Sequence, residues 1–496
     1  MNFVEFPSNA LAPLFGVELD RVFQSSVTRT NRILVIGQKK TGTATAATLY
    51  SVTSADQAAQ LFGRKSQIYR SIKRLFQAYP TAIVKAVGLA DISGGTAATF
   101  TITVTGPATA DGTITLYIAG QRVRVSVLDG DAQNDIAAAI NTALGLMPEI
   151  PFAATVSTNV VTLTAVHKGT VSNVTVRKNH RGLASGEELP GGVGVAIAQT
   201  ATGATDPDIG DAFAALGADD AFRYILFPWP DDTTLDAVQA EMESRWGPTR
   251  GKRGHAYTAL RDTHSNLVSA GEGRTVDSHI SVFGIEDTAA APAYELAASA
   301  LGRRAAVADN SASKPPRGQK LVTGSDADDL LLGAPPADQF DWSERNTLLA
   351  AGLATLVSSG TAMSIERIVT LYKNNPVTGL PDTKFRDDTT LLTAAEVIDR
   401  INDRVVSTYP AHIIVDDGVP VRAGLDVVRV GDIRSTVLAE YQECQTDGLT
   451  RGLEDFKIGL AVEADESNAN RINFLAPLRV VAGLYQVAGL ARVQAG

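Results

Sequence analysis

From residue 206 onward the chain alternates one helical run with one short apolar, strand-like run. That rhythm constrains the fold more than any other feature. A helix carrying Ala212, Phe213 and Leu216 leads to a strand over 223–227. A helix over 233–246 leads to a strand over 256–260. A third helix leads to a strand over 279–283, and a fourth spans 291–306. Strands separated by single helices call for crossover connections, hence a largely parallel sheet with helices on its faces. Residues 311–340, rich in Pro, Gly and Asp, are expected to form a long surface loop. A helix over 343–357 and a strand over 365–371 resume the fold. Thr393 and Glu396 form a capping box for a helix with Val397, Ile401 and Val405 facing inward.

Upstream, residues 31–91 follow a β–α–α–β order. A strand over 32–36 is followed by a helix capped by Ser54 and stopped by Gly63. A second helix over 66–78 carries Ile68, Ile72, Leu75 and Phe76 on one face, and a strand over 82–88 returns. Composition then shifts to Thr, Val, Ala and Gly over 92–205. Strands over 99–105, 113–118, 122–128, 153–156 and 160–165 surround one helix over 131–144. This is expected to be an inserted β-rich outer domain. Residues 409–478 are α+β, with a helix over 432–446 capped by Asp432 and a strand over 456–462.

Both ends of the sequence are extended and apolar. Near the start, Phe15, Val17, Leu19 and Val22 lie in a strand-like run. Near the end, Leu484 and Leu490 share one register, with Tyr485, Val487 and Val493 on the other. Such arms must pair their backbone or become aggregation sites. They either pair inside their own domain or are received by a second copy as an added strand. A sticky arm at each end points to a polymer-forming subunit, because open head-to-tail contacts build helical filaments. The organisation is therefore an N-terminal linking arm (1–30), an α/β core (31–91 and 206–408) interrupted by the outer domain (92–205), an α+β assembly domain (409–478) and a C-terminal linking strand (479–496).

Composition narrows the function. With 496 residues the chain exceeds a single core. The net charge of −10 comes without any basic block, which argues against nucleic acid as a direct partner. A single cysteine, Cys444, forbids an intrachain disulfide and suits a reducing cytosol. The first residues lack the basic flank of a signal peptide, and the most apolar window, 347–363, is too short to span a bilayer. A soluble protein with no membrane partner is expected.

Enzyme-like motifs fail on inspection. Gly37 to Gly42 imitates a phosphate-binding loop, but Thr43 stands where the lysine belongs and Ala44 where the magnesium-binding hydroxyl belongs. The pairs Gly192/Gly194 and Gly271/Gly273 lack a dinucleotide-binding frame and are expected in flexible loops. Acidic runs at Asp129/Asp131 and 326–329 lack the sixth-position glycine of a calcium loop. The six histidines show no zinc spacing. Asp262, His264 and Ser265 form a chance triad at most. No catalytic, metal or cofactor residue is assigned.

An ordered series of motifs resembles the sheath proteins of contractile phage tails, in particular those of Mu-like phages. The series comprises Gly431 to Arg434 opening a helix, Leu438 to Tyr441 within it, and Asp447 to Leu449 closing it. Asp455 to Lys457, Val462–Glu463, Asn470 to Asn473 and Leu475 to Leu478 follow in order. Segments 32–37, 62–66, 365–370 and 372–375 and the Thr393 helix fit as well. The match is weakest over 92–205. Cys444 and Gln445 depart from the family pattern, in which an acidic residue is common.

The resemblance implies a non-enzymatic subunit that polymerises helically around an inner tail tube. It implies partners in further copies, the tube protein, and baseplate and terminator proteins. It also implies a place in the virion tail after assembly in the bacterial cytoplasm, and contraction that drives the tube through the cell envelope. The linking arms would use Phe15, Val17, Leu19, Val22, Leu484, Val487, Leu490 and Val493. The helix over 432–446 would line the inner surface, its stripe of Ile433, Val437, Tyr441 and Cys444 buried. Arg434, Glu440, Gln442 and Gln445 would face the tube. The alternatives are another virion or baseplate structural protein, and an NTPase or hydrolase on the α/β core.

Overall fold

The computed structural model describes residues 31–321, 331–359 and 362–490. It is a mixed α/β protein with several sheets and, among the described residues, eleven α-helices.

The first segment contains β1 (Arg32–Gln38), β2 (Leu49–Val52), α1 (Ala55–Phe62), α2 (Gln67–Ala78) and β3 (Ile83–Leu89). The Ser54 side chain accepts from Gln57 N, and Gly63, at φ 90°, ends α1. Ser66 caps α2 through Tyr69 N. Ile68, Ile72 and Leu75 are fully buried, as their helical spacing demands.

Residues 92–205 contribute β4 (Thr99–Thr105), β5 (Gly112–Ile118), β6 (Gln121–Val127), α3 (Gln133–Gly145), β7 (Phe152–Ser157), β8 (Val160–Ala165), β9 (Val176–Lys178) and β10 (Gly194–Ala201). They form an antiparallel sheet in the order β10-β4-β8-β7 and a second sheet, β6-β5-β9. Ala119 and Gly120 both take positive φ, the two-residue hairpin turn between β5 and β6. Gly194 thus begins a strand rather than lying in a loop.

The chain then runs through α4 (Gly210–Ala214), β11 (Tyr224–Leu226), α5 (Asp232–Trp246), β12 (His255–Asp262), α6 (His264–Glu272), β13 (Val276–Asp277), β14 (Ile280–Glu286), α7 (Ala293–Ala308), α8 (Trp342–Ala350), β15 (Leu353–Ser359), β16 (Ala362–Arg367) and β17 (Leu371–Tyr372). One eight-stranded sheet, β16-β15-β14-β12-β11-β1-β3-β2, joins strands from before and after the insertion. Its six central strands are parallel and its two edges antiparallel. Alternation along β1 sends Ile33 and Val35 into the core under α1, α2 and α7, and Leu34 and Ile36 into the opposite core. At Gly302 on α7, a Cβ would come within 2.8 Å of the Ala78 Cβ, so glycine permits the close crossing of α2.

Two further expectations in these segments are corrected. The run expected as a helix over 343–357 breaks at Ala350. Gly352, at φ 90°, turns the chain, and Leu353, Ala354 and Leu356 bury themselves as strand β15. An apolar run this short satisfies either period, and the vacant sheet position decides it. Gly271 lies inside α6, packed so that a Cβ would meet Ala351 O at 2.6 Å.

The inserted sheets are bonded to the α/β sheet rather than merely tethered. Tyr294 of α7 belongs to the insertion's own core. Arg70 donates to Ala119 O at 2.5 Å, and Arg261 donates to Asn173 O at 2.5 Å. Gln67 N donates to His167 Nε2 at 3.0 Å, which leaves the proton on Nδ1 to bond Asp91 at 2.8 Å. Burial pushes the Asp91 carboxyl up, but His167 and Lys40 outweigh it and hold it at about 2.

Candidate assembly surfaces in the C-terminal region

The last part of the described chain contains α9 (Asp388–Thr408), β18 (Ile413–Ile414), β19 (Val427–Val428), α10 (Val430–Thr446), α11 (Leu453–Gly459), β20 (Ala461–Ala464) and β21 (Ile472–Leu475). α9 begins five residues before Thr393. Thr393 is fully buried inside it, its hydroxyl bonded to Thr389 O at 2.6 Å rather than capping an end. The N-terminal half of α9 buries Leu392 against the α/β sheet, while Val397 and Ile401 enter a separate C-terminal core. Midway, Asp399 bonds Arg223 at 3.0 Å and Arg253 at 2.6 Å.

Helix α10 starts at Val430, so Asp432 is its third residue. Asp432 serves the helix start from inside by accepting from Arg429 N at 2.9 Å. Ile433, Val437, Tyr441 and Cys444 are buried together. Burial pushes the Cys444 thiol up to about 12, which leaves it unreactive. The segment expected as a strand over 456–462 is the short helix α11 followed by β20. The Phe456 ring stacks on Tyr441 at 3.7 Å, so α11 buries this ring in the C-terminal core.

Of the four residues placed on the open face of α10, Arg434, Gln442 and Gln445 are exposed. Glu440 is not: it is 7% exposed, beside Cys444. Burial pushes its carboxyl up, aided by Glu443 and opposed by Arg400 and Arg404. The signal was present in the sequence, since 437, 440 and 444 share a helical stripe. Arg434 is exposed but not free, because its guanidinium donates to Lys457 O at 2.7 Å and to Leu460 O.

Strands β20 and β21 pair only with each other among the described residues. Asp465 organises their connection by accepting from Ser467 N and Asn468 N and by pairing with Arg471. Hydrogen bonds from Ser467, Asn473 and Arg471 hold its carboxyl far below the usual range. The ribbon packs Val462 and Ile472 against the C-terminal core and leaves Phe474 and Leu475 exposed.

The segment 479–490 leaves this region extended. Arg479 O accepts from Arg451 N at 2.9 Å, and Val481 N donates to Leu449 O at 3.1 Å. Leu484, Val487 and Leu490 are all more than two-thirds exposed. Val493, and Phe15, Val17, Leu19 and Val22 of the other arm, lie outside the described residues.

Gln38, inside the phosphate-loop imitation, is buried with its amide on Asp91 and Lys168 O, and among the described residues no helix opens before Ala55. Asp262 bonds Asn266 and Thr263 N rather than His264, whose Nε2 meets Glu344 O. Residues 326–329 lie outside the described residues. No helix is long and apolar enough to cross a membrane among the described residues.

An α/β body, a two-stranded ribbon with open edges and an extended tail exposing Leu484, Val487 and Leu490 are features of a structural subunit rather than of a catalytic pocket. Residues 202–371 match the family described as phage tail sheath protein central domain. Over 484 residues the chain is 32% identical to the Mu-like prophage FluMu tail sheath protein of Haemophilus influenzae, covering 96% of each. The chain belongs to the tail sheath protein family and is a structural subunit of a contractile tail sheath. Among solved structures it is similar to the sheath tail protein of Desulfitobacterium hafniense, at 12% identity, 95% and 100% coverage and TM-score 0.46. The sheath tail protein of Listeria innocua gives 13% identity, 91% and 92% coverage and TM-score 0.45.

Proposed function

We propose that copies of this chain join into a helical sheath by strand exchange, the C-terminal arm of one subunit adding to the β20–β21 ribbon of another. One observation carries this reading. Residues 486–490 make no hydrogen bond within the described chain, yet they hold exposed Val487 and Leu490, and the ribbon presents unpaired edges beside Phe474 and Leu475. Each half supplies what the other lacks: backbone donors and acceptors for an edge, and apolar side chains for an apolar face. The N-terminal arm is a second such link.

The sheath surrounds an inner tail tube, with the exposed residues of α10, Arg434, Gln442 and Gln445, toward it. Baseplate and terminator proteins bound its two ends. The particle is assembled in the bacterial cytoplasm and works as the virion tail. In contraction the subunits slide as rigid bodies, because α9 locks the C-terminal core to the α/β sheet. Residues 92–205 form the outward-facing domain.

Purified full-length protein, viewed by negative-stain microscopy, should form tubes or rings. Protein ending at Gln486 should keep its melting temperature and stay unassembled. Tubes formed by the truncated protein overturn the strand-exchange reading.

A further inference from the structure

Residues 479–485 are held by their own subunit from several sides. The Arg367 guanidinium lies over the Tyr485 ring, 4.3 Å from its centroid. Arg367 is itself fixed by a two-pronged pair with Asp387, Nε to Oδ1 at 2.8 Å and a terminal nitrogen to Oδ2 at 3.0 Å. Asp387 is the residue before α9, so this clamp stands on the helix that joins the two cores. Arg317 donates to Tyr485 O at 3.2 Å. Gly483 lies so close to Pro315 that a Cβ would come within 3.0 Å of its Cγ.

Beyond Tyr485 the pattern stops. In an extended chain Tyr485 and Val487 point to the same side. Tyr485 is packed under Arg367, whereas Val487 is 84% exposed. The backbone therefore departs from the body between these two residues.

We propose that Tyr485 is the anchor of the C-terminal arm: residues through 485 stay with their own subunit, and residues from 486 onward are handed to a neighbour. This rests on the strand-exchange reading above. Tension on the exchanged strand enters the body at Tyr485 and passes through Arg367 and Asp387 to the start of α9. Without the anchor, the same tension would peel 479–485 off the surface and lengthen the link between copies.

The test compares full-length Tyr485→Ala and Tyr485→Phe. Phenylalanine keeps the ring under Arg367; alanine removes it. In the unassembled subunit, amide exchange over 479–485 should be about tenfold faster in Tyr485→Ala and unchanged in Tyr485→Phe. In assembled tubes, Tyr485→Ala should contract or shed subunits at lower denaturant than wild type, with Tyr485→Phe at the wild-type threshold. Unchanged exchange in Tyr485→Ala overturns the anchor, and so does an unchanged tube threshold. If wild-type protein forms no tubes while Tyr485→Ala still accelerates exchange over 479–485, strand exchange fails and the intramolecular anchor stands.

Discussion

Arg304 donates its Nε to Asp388 Oδ2 across 2.7 Å, and neither side chain is exposed to solvent at all. Tyr257 donates to the same oxygen at 2.9 Å. The pair ties α7, in the α/β body, to the first turn of α9. A buried ion loses much of its stabilisation when its partner is removed, because the remaining charge stays desolvated.

Arg304→Ala should therefore cost on the order of 3–5 kcal/mol. Arg304→Met combined with Asp388→Asn should cost clearly less, since it removes both charges and nearly keeps the volume. Urea unfolding of the two variants checks this. Equal losses would show that packing, not charge, governs the site.

Stability should fall as pH drops from about 6.5 toward 4. Burial lowers the His279 imidazole to about 4 in the fold, where it stacks on Trp246 at 4.9 Å. The unfolded chain takes up that proton near pH 6.5, so it binds more protons throughout this window and gains on the native state. The loss due to His279 alone is on the order of 3 kcal/mol at most. His279→Phe keeps the stacked ring and should remove this part of the acid sensitivity. Identical pH profiles for variant and wild type would exclude His279 as its source.

Deleting residues 95–200 should yield a subunit that melts well below the intact one. Tyr294 loses its surroundings, and Arg70 and Arg261 lose buried carbonyl acceptors, at about 1–3 kcal/mol each. Calorimetry decides. A deletion variant that melts with the intact chain, and still assembles, would make the insertion a pure decoration.

Gln442→Glu together with Gln445→Glu should leave the melting temperature within a few degrees of wild type, because both positions are exposed. Assembly on purified tail tubes should weaken, while tube-free polymerisation survives. Co-sedimentation with tubes measures it, and unaltered sedimentation removes α10 from the tube interface. Arg434→Ala should instead loosen α11 and β20, costing about 1 kcal/mol through the carbonyls it leaves.

The cap at Ser54 and the strand over 32–36 were legible because each depends on neighbours within four residues. So was the buried stripe of α10. Glu440 was missed because its charge suggested solvent, although its position lies on that stripe; Arg400 and Arg404, which make burial tolerable, come from another helix. Strand β15 was missed because only a vacancy in the parallel sheet distinguishes it from a continued helix. The Arg304–Asp388 pair, 84 residues apart, and the clamp on Tyr485 follow from topology, which local spacing does not encode.

Because two cores close around the single helix α9, the order of synthesis matters. The ribosome delivers every strand of the eight-stranded sheet before α9, so that helix docks on a surface already built, with Arg304 in place. Its second half then templates the residues that follow. The segment 479–490 comes after all of these, and a nascent chain acquires its adhesive strand only once the body beneath Tyr485 exists to restrain it.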